Sequence, residues 1–497
     1  MQRYISSRDP QKRGISAQQA IIKGLADDGG LYTPYPIKFH FNPEEISGKT
    51  YQEMAVSIIS RFFDDFRRED IESYVKGAYD HKFDTPEIVP VKSISDDMFL
   101  TELWHGPTSA FKDLALTILP YLMSGAIRKG NLTDTVCILT ATSGDTGKAA
   151  LSGFADVPGT EIMVLYPEIG VSDIQKLQMQ TSEGRNVYVL AVNGNFDECQ
   201  RVVKEIASNK NLRNAYKNIR ISSANSINIG RLVPQIVYYY KTYSDMVARG
   251  AINCGDTVNF SVPTGNFGDI LAGYYAKYTG LPIGKLICAS NINNVLTDFI
   301  NTGVYNARRQ FHATISPSMD ILVSSNLERL LFMTSGTDPE AVIRMMSDLK
   351  AKGRYQIPGR ELSQIQETFS AYYATEDDCR YEINRMWQRD RVLIDPHTAV
   401  AVHAAKLHRA LTGDTVPCAV LSTASPYKFA ADVLTSLIGS APDDAFDAMA
   451  ELSEYTGAPI PQNLLTLKTK KVRFTRSVDT GLAEEEVMSR IGEIANA

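Results

Sequence analysis

The chain contains no apolar run approaching the ~18 residues that would span a bilayer, and its opening MQRYISSRDPQKRG lacks the apolar centre of a secretory signal. Membrane insertion and export are therefore not expected. Charge of one sign is also scarce: 51 Lys and Arg stand against 57 Asp and Glu, a net charge of −6, with no long block of either sign. Without a basic footprint, nucleic acid and anionic membrane surfaces are poor partners, and a small molecule is the expected one. The six cysteines (Cys137, Cys199, Cys254, Cys288, Cys379 and Cys418) form no CxxC pair and no metal-ligand spacing, and several lie inside apolar strand patterns. They read as reduced core residues of a cytoplasmic protein that carries no metal. Internal repeats and low-complexity tracts are missing as well.

What is present is material for a large core. With 497 residues and 44% hydrophobic content, the chain exceeds what one hydrophobic core usually serves, and two or three domains are expected. Short apolar segments at 136–140, 162–166 and 187–192 read as strands, alternating with helical patterns that reach Phe154, lie near 173–181 and lie near 197–208. The alternation resumes with a helix near 231–240, a strand at 258–262, a helix to Tyr278, a strand at 286–289 and a helix near 295–301. A late strand at 419–422 leads into another helix. Such alternation predicts an α/β protein, with two wound parallel-sheet units around a shared cleft and ligands at the carboxyl ends of the strands. Residues 1–90 are more helical and are expected to form a small N-terminal domain. Residues 91–450 would hold the two α/β lobes with a charged, helical insert near 310–391, and 451–497 a C-terminal extension.

Three segments carry candidate chemistry. In 104–116, WHGPTSAFKDLAL, Lys112 stands among Phe111, Leu114 and Leu116, where desolvation would lower its pKa and make it a Schiff-base nucleophile. The plainer alternative is a solvated helix-start lysine paired with Asp113. In 141–150, ATSGDTGKAA, a strand runs through Thr142, Ser143, Gly144, Asp145, Thr146 and Gly147 into a helix, a cup of backbone N–H groups and hydroxyls for a carboxylate or phosphate. A nucleotide-triphosphate loop is rejected, because Thr142 occupies the place of its first glycine and Ala149 that of its magnesium-binding hydroxyl. In 261–273, SVPTGNFGDILAG, a second strand and glycine-rich loop open a helix near Asp269; this is either another anion cradle or a plain βα turn.

Taken in order, HGPTSAFKD, ATSGDTG and PTGNFGD resemble the pyridoxal-phosphate enzymes of the tryptophan synthase β type, and more narrowly the threonine synthase family. The opening at 3–34, NSINIGRL at 225–232, DPHTAVA at 395–401 and STASPYKF at 422–429 are similar to that family too, so the likeness covers nearly the whole chain. It implies that residues 1–90 are the family's N-terminal domain and 91–450 its catalytic domain. Lys112 would carry pyridoxal 5′-phosphate. Gly265, Asn266, Phe267, Gly268 and Asp269 would seat the cofactor phosphate. Thr142, Ser143, Gly144 and Thr146 would hold the substrate carboxylate. Asp145, where many relatives of the fold have Asn, would lie near the cofactor's O3′ hydroxyl and share a proton with it. Thr423 would face the pyridine nitrogen. Asn225, Ser226 and Arg231 would grip a substrate phosphate, for which an arginine fork is suited. Ser425 departs from the family, which often has His there.

The implied reaction converts O-phospho-L-homoserine and water into L-threonine and phosphate, the last step of threonine biosynthesis, with Lys112 serving as carrier and then as base. Related chemistries stay open: a dehydratase or cysteine synthase relative, which needs no second anion site, and a phospho-lyase that stops at a keto acid. So does a non-catalytic two-lobed binding protein for small anions, which needs no lysine in its cleft. His105 and His397 read as packed residues without a proton-transfer role. A monomer and a homodimer fit the sequence equally.

Overall fold

The computed structural model describes residues 1–95, 97–130, 133–142, 144–168, 170–208 and 215–496. Two sheets organise it. In the larger, the strands lie in the order Phe369–Tyr373, Ile283–Ser290, Val258–Pro263, Cys418–Ser422, Met98–Glu102 and Val91–Ser95. The first five are parallel and the last, Val91–Ser95, is antiparallel to its neighbour. In the smaller, Ser477–Asp479, Val187–Asn193, Thr160–Pro167, Thr135–Ala141 and Ile219–Ser222 are all parallel. The expected pair of wound α/β lobes is therefore present. Central strands such as Val258–Pro263 and Cys418–Ser422 are buried at every residue, as a sheet covered by helices on both faces requires.

Several elements depart from the sequence expectation for identifiable reasons. The helix expected near 231–240 is divided into Ile229–Leu232, a 3-10 turn Val233–Gln235 and Ile236–Ala248, with Pro234 at the break, where a missing N–H interrupts the helical ladder. The stretch read as a helical insert does hold Leu327–Thr334, Pro339–Lys352, Gly359–Thr368 and Glu376–Arg385. It also supplies Phe369–Tyr373, the edge strand of the larger sheet, whose alternating burial at Phe369 and Ala371 is short enough to be lost between helices. Residues 4–6 and 32–34 add a small antiparallel sheet to the first segment. At the other end, Ser477–Asp479 completes the smaller sheet.

One continuous apolar core joins Tyr4, Ile21 and Phe62 of the first segment to Leu119, Val136 and Val258 of the lobes. A second packs Leu100, Ile287 and Val420 against Val400 of the helix Pro396–Thr412. A third lies between the smaller sheet and the helices Phe196–Ser208 and Thr480–Asn496. Among the described residues no helix is long and apolar enough to cross a membrane. The carboxyl ends of Thr135–Ala141, Val258–Pro263 and Cys418–Ser422 all lead into residues of one cleft.

Candidate active site

Lys112 directly precedes the helix Asp113–Leu116. Asp113 is not its partner: the Asp113 carboxylate accepts from the Thr108 N–H at 2.8 Å and from Thr108 Oγ1 at 2.7 Å, and so serves the loop. Gly106 is required there, since a Cβ would lie 2.5 Å from that of Asp113. Lys112 is left inside the cleft with 12% of its side chain exposed. Burial brings its amine down to about 8, helped by the charges of Arg231 and Lys428 and opposed by Asp145.

The strand Thr135–Ala141 ends in the first anion cup, which differs from the expectation in one respect. Thr142 Oγ1 already accepts from the N–H groups of Gly144 at 3.0 Å and Gly147 at 2.9 Å, so the hydroxyl, not two open amides, is what the loop offers. Gly144, at φ +140°, faces the Gln175 side chain, whose Cδ would lie 2.4 Å from a Cβ; it does not line the cleft. Thr142 and Thr146 do. Ser143 lies outside the described residues. Lys148, the lysine of the rejected nucleotide loop, points away and reaches Ser182 Oγ at 3.3 Å.

Asp145, first residue of the helix Asp145–Phe154, is buried between two lysines. Its Oδ2 is 3.9 Å from Lys112 Nζ and its Oδ1 is 2.5 Å from Lys428 Nζ, while Gln175 Nε2 donates to Oδ1 at 2.7 Å. Burial alone would push this carboxyl up; Lys428, Lys112 and Gln175 outweigh it and hold the group well below the usual carboxylate range.

The second cup follows Val258–Pro263. Phe267 adopts left-handed backbone at φ +61°, and the helix Gly268–Tyr278 begins without a side-chain cap, so its first N–H groups face the cleft in want of an anion. Gly265 must lack a side chain, because a Cβ would lie 2.6 Å from the Ser318 carbonyl oxygen. Asp269 accepts on Oδ1 from the hydroxyls of Tyr238 at 2.6 Å and Tyr239 at 2.9 Å, and burial raises it to about 6 against those two donors.

Across the cleft, Arg231 is 2% exposed and donates from one terminal nitrogen to the Ala224 carbonyl at 2.9 Å. Its Nε is buried without a partner among the described residues, as are Asn225 Oδ1 and Asp269 Oδ2. Burial pulls the guanidinium down to about 10, and no carboxylate among the described residues answers it. A buried arginine left with an unused donor is strongly destabilising unless an anion joins it. Ser226 Oγ accepts from Asn326 Nδ2 at 3.1 Å.

Thr423 follows the strand Cys418–Ser422, and its carbonyl receives the Phe111 N–H at 2.8 Å, which ties the lysine segment to this end of the cleft. Ser425 Oγ is buried and has no partner among the described residues. His105 lies outside the cleft, against Asp84 at 2.6 Å and Glu102 at 3.0 Å; these carboxylates overcome burial and raise it to about 9. His397 lines the cleft but is committed, with Nδ1 2.7 Å from Asp395 Oδ2 and Nε2 accepting from the Ser318 N–H at 3.1 Å.

A cavity of about 140 Å³ thus gathers Lys112, Thr142, Thr146, Asn225, Ser226, Arg231, the 265–269 loop and Thr423, with Phe196 and Gln200 on the smaller lobe's side. The donor set fits pyridoxal phosphate: an amine of lowered basicity for its aldehyde, an uncapped helix start for its phosphate, and a neutral hydroxyl for its ring nitrogen. The buried Nε–H of Arg231, without an acceptor among the described residues, remains for a second anion. Sequence reasoning missed Lys428 and Gln175. Lys428 follows Thr423 within the STASPYKF motif, yet nothing local indicates that it meets Asp145.

Comparison with known proteins gives three family-model matches: "Threonine synthase N terminus" over residues 3–79, "Pyridoxal-phosphate dependent enzyme" over 84–423 and "Threonine synthase, C-terminal" over 398–484. The chain is similar to "Threonine synthase-like 1" of Homo sapiens, with 38% identity over 488 residues, covering 94% of this chain and 65% of that protein. It thus spans just under two thirds of the length of that relative. A Pseudomonas aeruginosa threonine synthase is 37% identical over 450 residues, covering 88% of this chain and 91% of the relative. Among solved structures, the pyridoxal-phosphate-bound threonine synthase of Brucella melitensis superposes with a TM-score of 0.86 at 35% identity, covering 98% of this chain and 99% of that one.

Proposed function

The chain belongs to the threonine synthase family of pyridoxal-phosphate-dependent enzymes, and from that premise we propose that it converts O-phospho-L-homoserine and water into L-threonine and phosphate. The observation that carries the substrate choice is Arg231. It is a buried guanidinium in the same cleft as Lys112, and among the described residues its Nε–H has no acceptor and no carboxylate stands opposite it. An unphosphorylated amino acid would leave that site unfilled, whereas a γ-phosphate ester supplies its counter-charge.

When bound, pyridoxal phosphate supplies an electron sink for the loss of protons next to the substrate amino group. Lys112 holds it and, with an amine near neutrality, is the base for proton movements at Cα and Cβ. Gly265, Asn266, Phe267, Gly268 and Asp269 seat the cofactor phosphate at the start of the helix Gly268–Tyr278, and Thr423 offers a hydroxyl to the ring nitrogen. Thr142 and Thr146, with Ser143 of the same loop, bind the substrate carboxylate, and Asp145 stands by the cofactor's O3′. Asn225, Ser226 and Arg231 stabilise the phosphate as it leaves. The division into residues 1–90, 91–450 and 451–497 belongs to this reading, and the separate two-stranded sheet of residues 4–6 and 32–34 supports its first segment only. Free cysteines, five of them buried, support a reducing compartment, and we place the enzyme in the cytoplasm.

Incubation of cofactor-loaded protein with O-phospho-L-homoserine tests the proposal, with threonine, keto acid and phosphate measured in one sample. Threonine and phosphate should appear in equal amounts. Phosphate with keto acid would mean a phospho-lyase, and no phosphate would remove the substrate assignment of Arg231.

A further inference from the structure

Lys428 is a charge at the site with no side-chain exposure, and nothing in the reaction as described uses it. It sits in the 3-10 turn Pro426–Phe429. Its ammonium lies 2.5 Å from Asp145 Oδ1 and donates to the Thr108 carbonyl at 3.0 Å. The other oxygen of the same carboxylate is 3.9 Å from Lys112 Nζ. One carboxylate therefore stands between two lysines, tightly paired with the one that faces protein and loosely with the one that faces the cleft.

We propose that Lys428 is a positioning residue that acts through Asp145: by occupying Oδ1 it satisfies the carboxylate on the protein side, so that Asp145 orients Lys112 without clamping it as an ammonium. The inference rests on the reading of Lys112 as the residue that holds the cofactor. A carboxylate alone beside that amine would draw it into an ion pair and keep it protonated. An asparagine at the same place would need no counter-ion; an aspartate does, and the Lys428 ammonium is that counter-ion. Lys112 is faced by Asp145, Arg231 and Lys428 from three separate elements and by Asp113 of its own, and the two cations among them both act against its protonation. Gln175, the remaining donor on Oδ1 at 2.7 Å, is neutral and fixes the carboxylate's orientation only.

The test uses full-length, cofactor-loaded protein and the variants Lys428→Met, Lys428→Arg, Asp145→Asn and the double variant Asp145→Asn with Lys428→Met. Borohydride reduction and peptide mass mapping first locate the cofactor-bearing lysine. Attachment to Lys428 would overturn the assignment of Lys112 and this inference with it. With attachment at Lys112, Lys428→Met should move the acid limb of the kcat/KM profile up by about one pH unit or more and lower kcat at pH 7 roughly tenfold or more, since the neutral fraction of an amine below its pKa falls about tenfold per unit of upward shift. The visible band of the bound cofactor should titrate with the same displacement. Lys428→Arg should restore most of both. The double variant, which removes both charges of the pair, should fold and match Asp145→Asn alone within about threefold. A profile unmoved in Lys428→Met, or losses that multiply in the double variant, would overturn the inference while leaving Lys112 as the carrier.

Discussion

Arg329 donates from Nε to the carbonyl oxygen of Tyr32 at 3.0 Å, although the two residues lie 297 positions apart in the sequence. The same guanidinium donates to the Ile227 carbonyl at 2.6 Å and to Asn326 Oδ1, and Asn326 in turn donates to Ser226 Oγ. Asn228 makes a second tie from the same turn, donating from Nδ2 to the Ile21 carbonyl at 3.0 Å. The first segment therefore holds in place the 225–228 turn that presents Asn225 and Ser226 to the cleft. Its sequence gives no hint of that work, because the groups it contributes are backbone carbonyls.

Arg329→Met should destabilise the protein by about 3–5 kcal/mol, since it leaves three buried acceptors without their donor. In protein that still folds, KM for O-phospho-L-homoserine should rise while cofactor affinity stays near wild type. Urea unfolding and steady-state kinetics measure the two effects. A stable variant with unchanged KM would mean that the turn holds itself.

Arg231→Ala should raise KM and lower kcat/KM by roughly 10²- to 10³-fold, the scale for losing a charge-assisted pair to phosphate. Arg231→Lys should recover only part of it, because a point charge cannot use the position of the buried Nε. Spectroscopic titration of both variants with pyridoxal phosphate should give a near wild-type dissociation constant. Loss of the cofactor instead would show that the two anion sites have been exchanged.

Asp113 supplies a pH signature of folding. Burial raises its carboxyl to about 6, against the hydrogen bonds from Thr108, and the ordinary value of 3.8 applies to the unfolded chain. Because the folded value is the higher one, this group's contribution is complete below the unfolded value and is lost as pH rises through 6. Asp113→Asn does not titrate, so its stability relative to wild type should improve by about 2–3 kcal/mol between pH 4 and pH 7.5. Asp269, raised in the same direction, titrates in both proteins and cancels from the difference. Chemical unfolding at a series of pH values measures it; a difference that stays constant would mean that Asp113 ionises normally.

The strands that end at the cleft were legible because each is an apolar run leading into a glycine-rich or hydroxyl-rich turn, as at Thr135–Ala141 and Val258–Pro263. Val91–Ser95 was not: four of its five residues are polar or only partly buried, so no apolar run marks it. Lys112 and Thr142, which line the cleft, were singled out through motifs whose chemistry is local, and Arg231 through the family resemblance. Lys428 could not be found that way, since its meaning lies entirely in a pairing with Asp145 that folding creates. The cup at 142–147 was read too generously for a similar reason, because the bonds that Thr142 Oγ1 accepts from Gly144 and Gly147 are invisible until the loop closes.

The basicity of Lys112 is the property most directly tied to its proposed use, and it can be measured without turnover. Only the neutral amine attacks an aldehyde. With the amine at about 8, roughly a tenth of it is neutral at pH 7, compared with under a thousandth for an ordinary lysine near 10.4. The rate at which apoprotein captures pyridoxal phosphate should therefore climb about tenfold per pH unit up to about pH 8 and then level off. The same measurement with Nα-acetyl-lysine, corrected for the ionisation of its own amine near 10.4, gives the pH dependence of the cofactor itself, which is divided out. Lys112→Ala should show no capture and no turnover. Arg231→Met removes one of the positive charges facing Lys112, so its midpoint should lie above that of wild type. A wild-type rate that keeps climbing toward pH 10 would mean that the cleft does not desolvate Lys112, and its role as the base would then lose its physical ground.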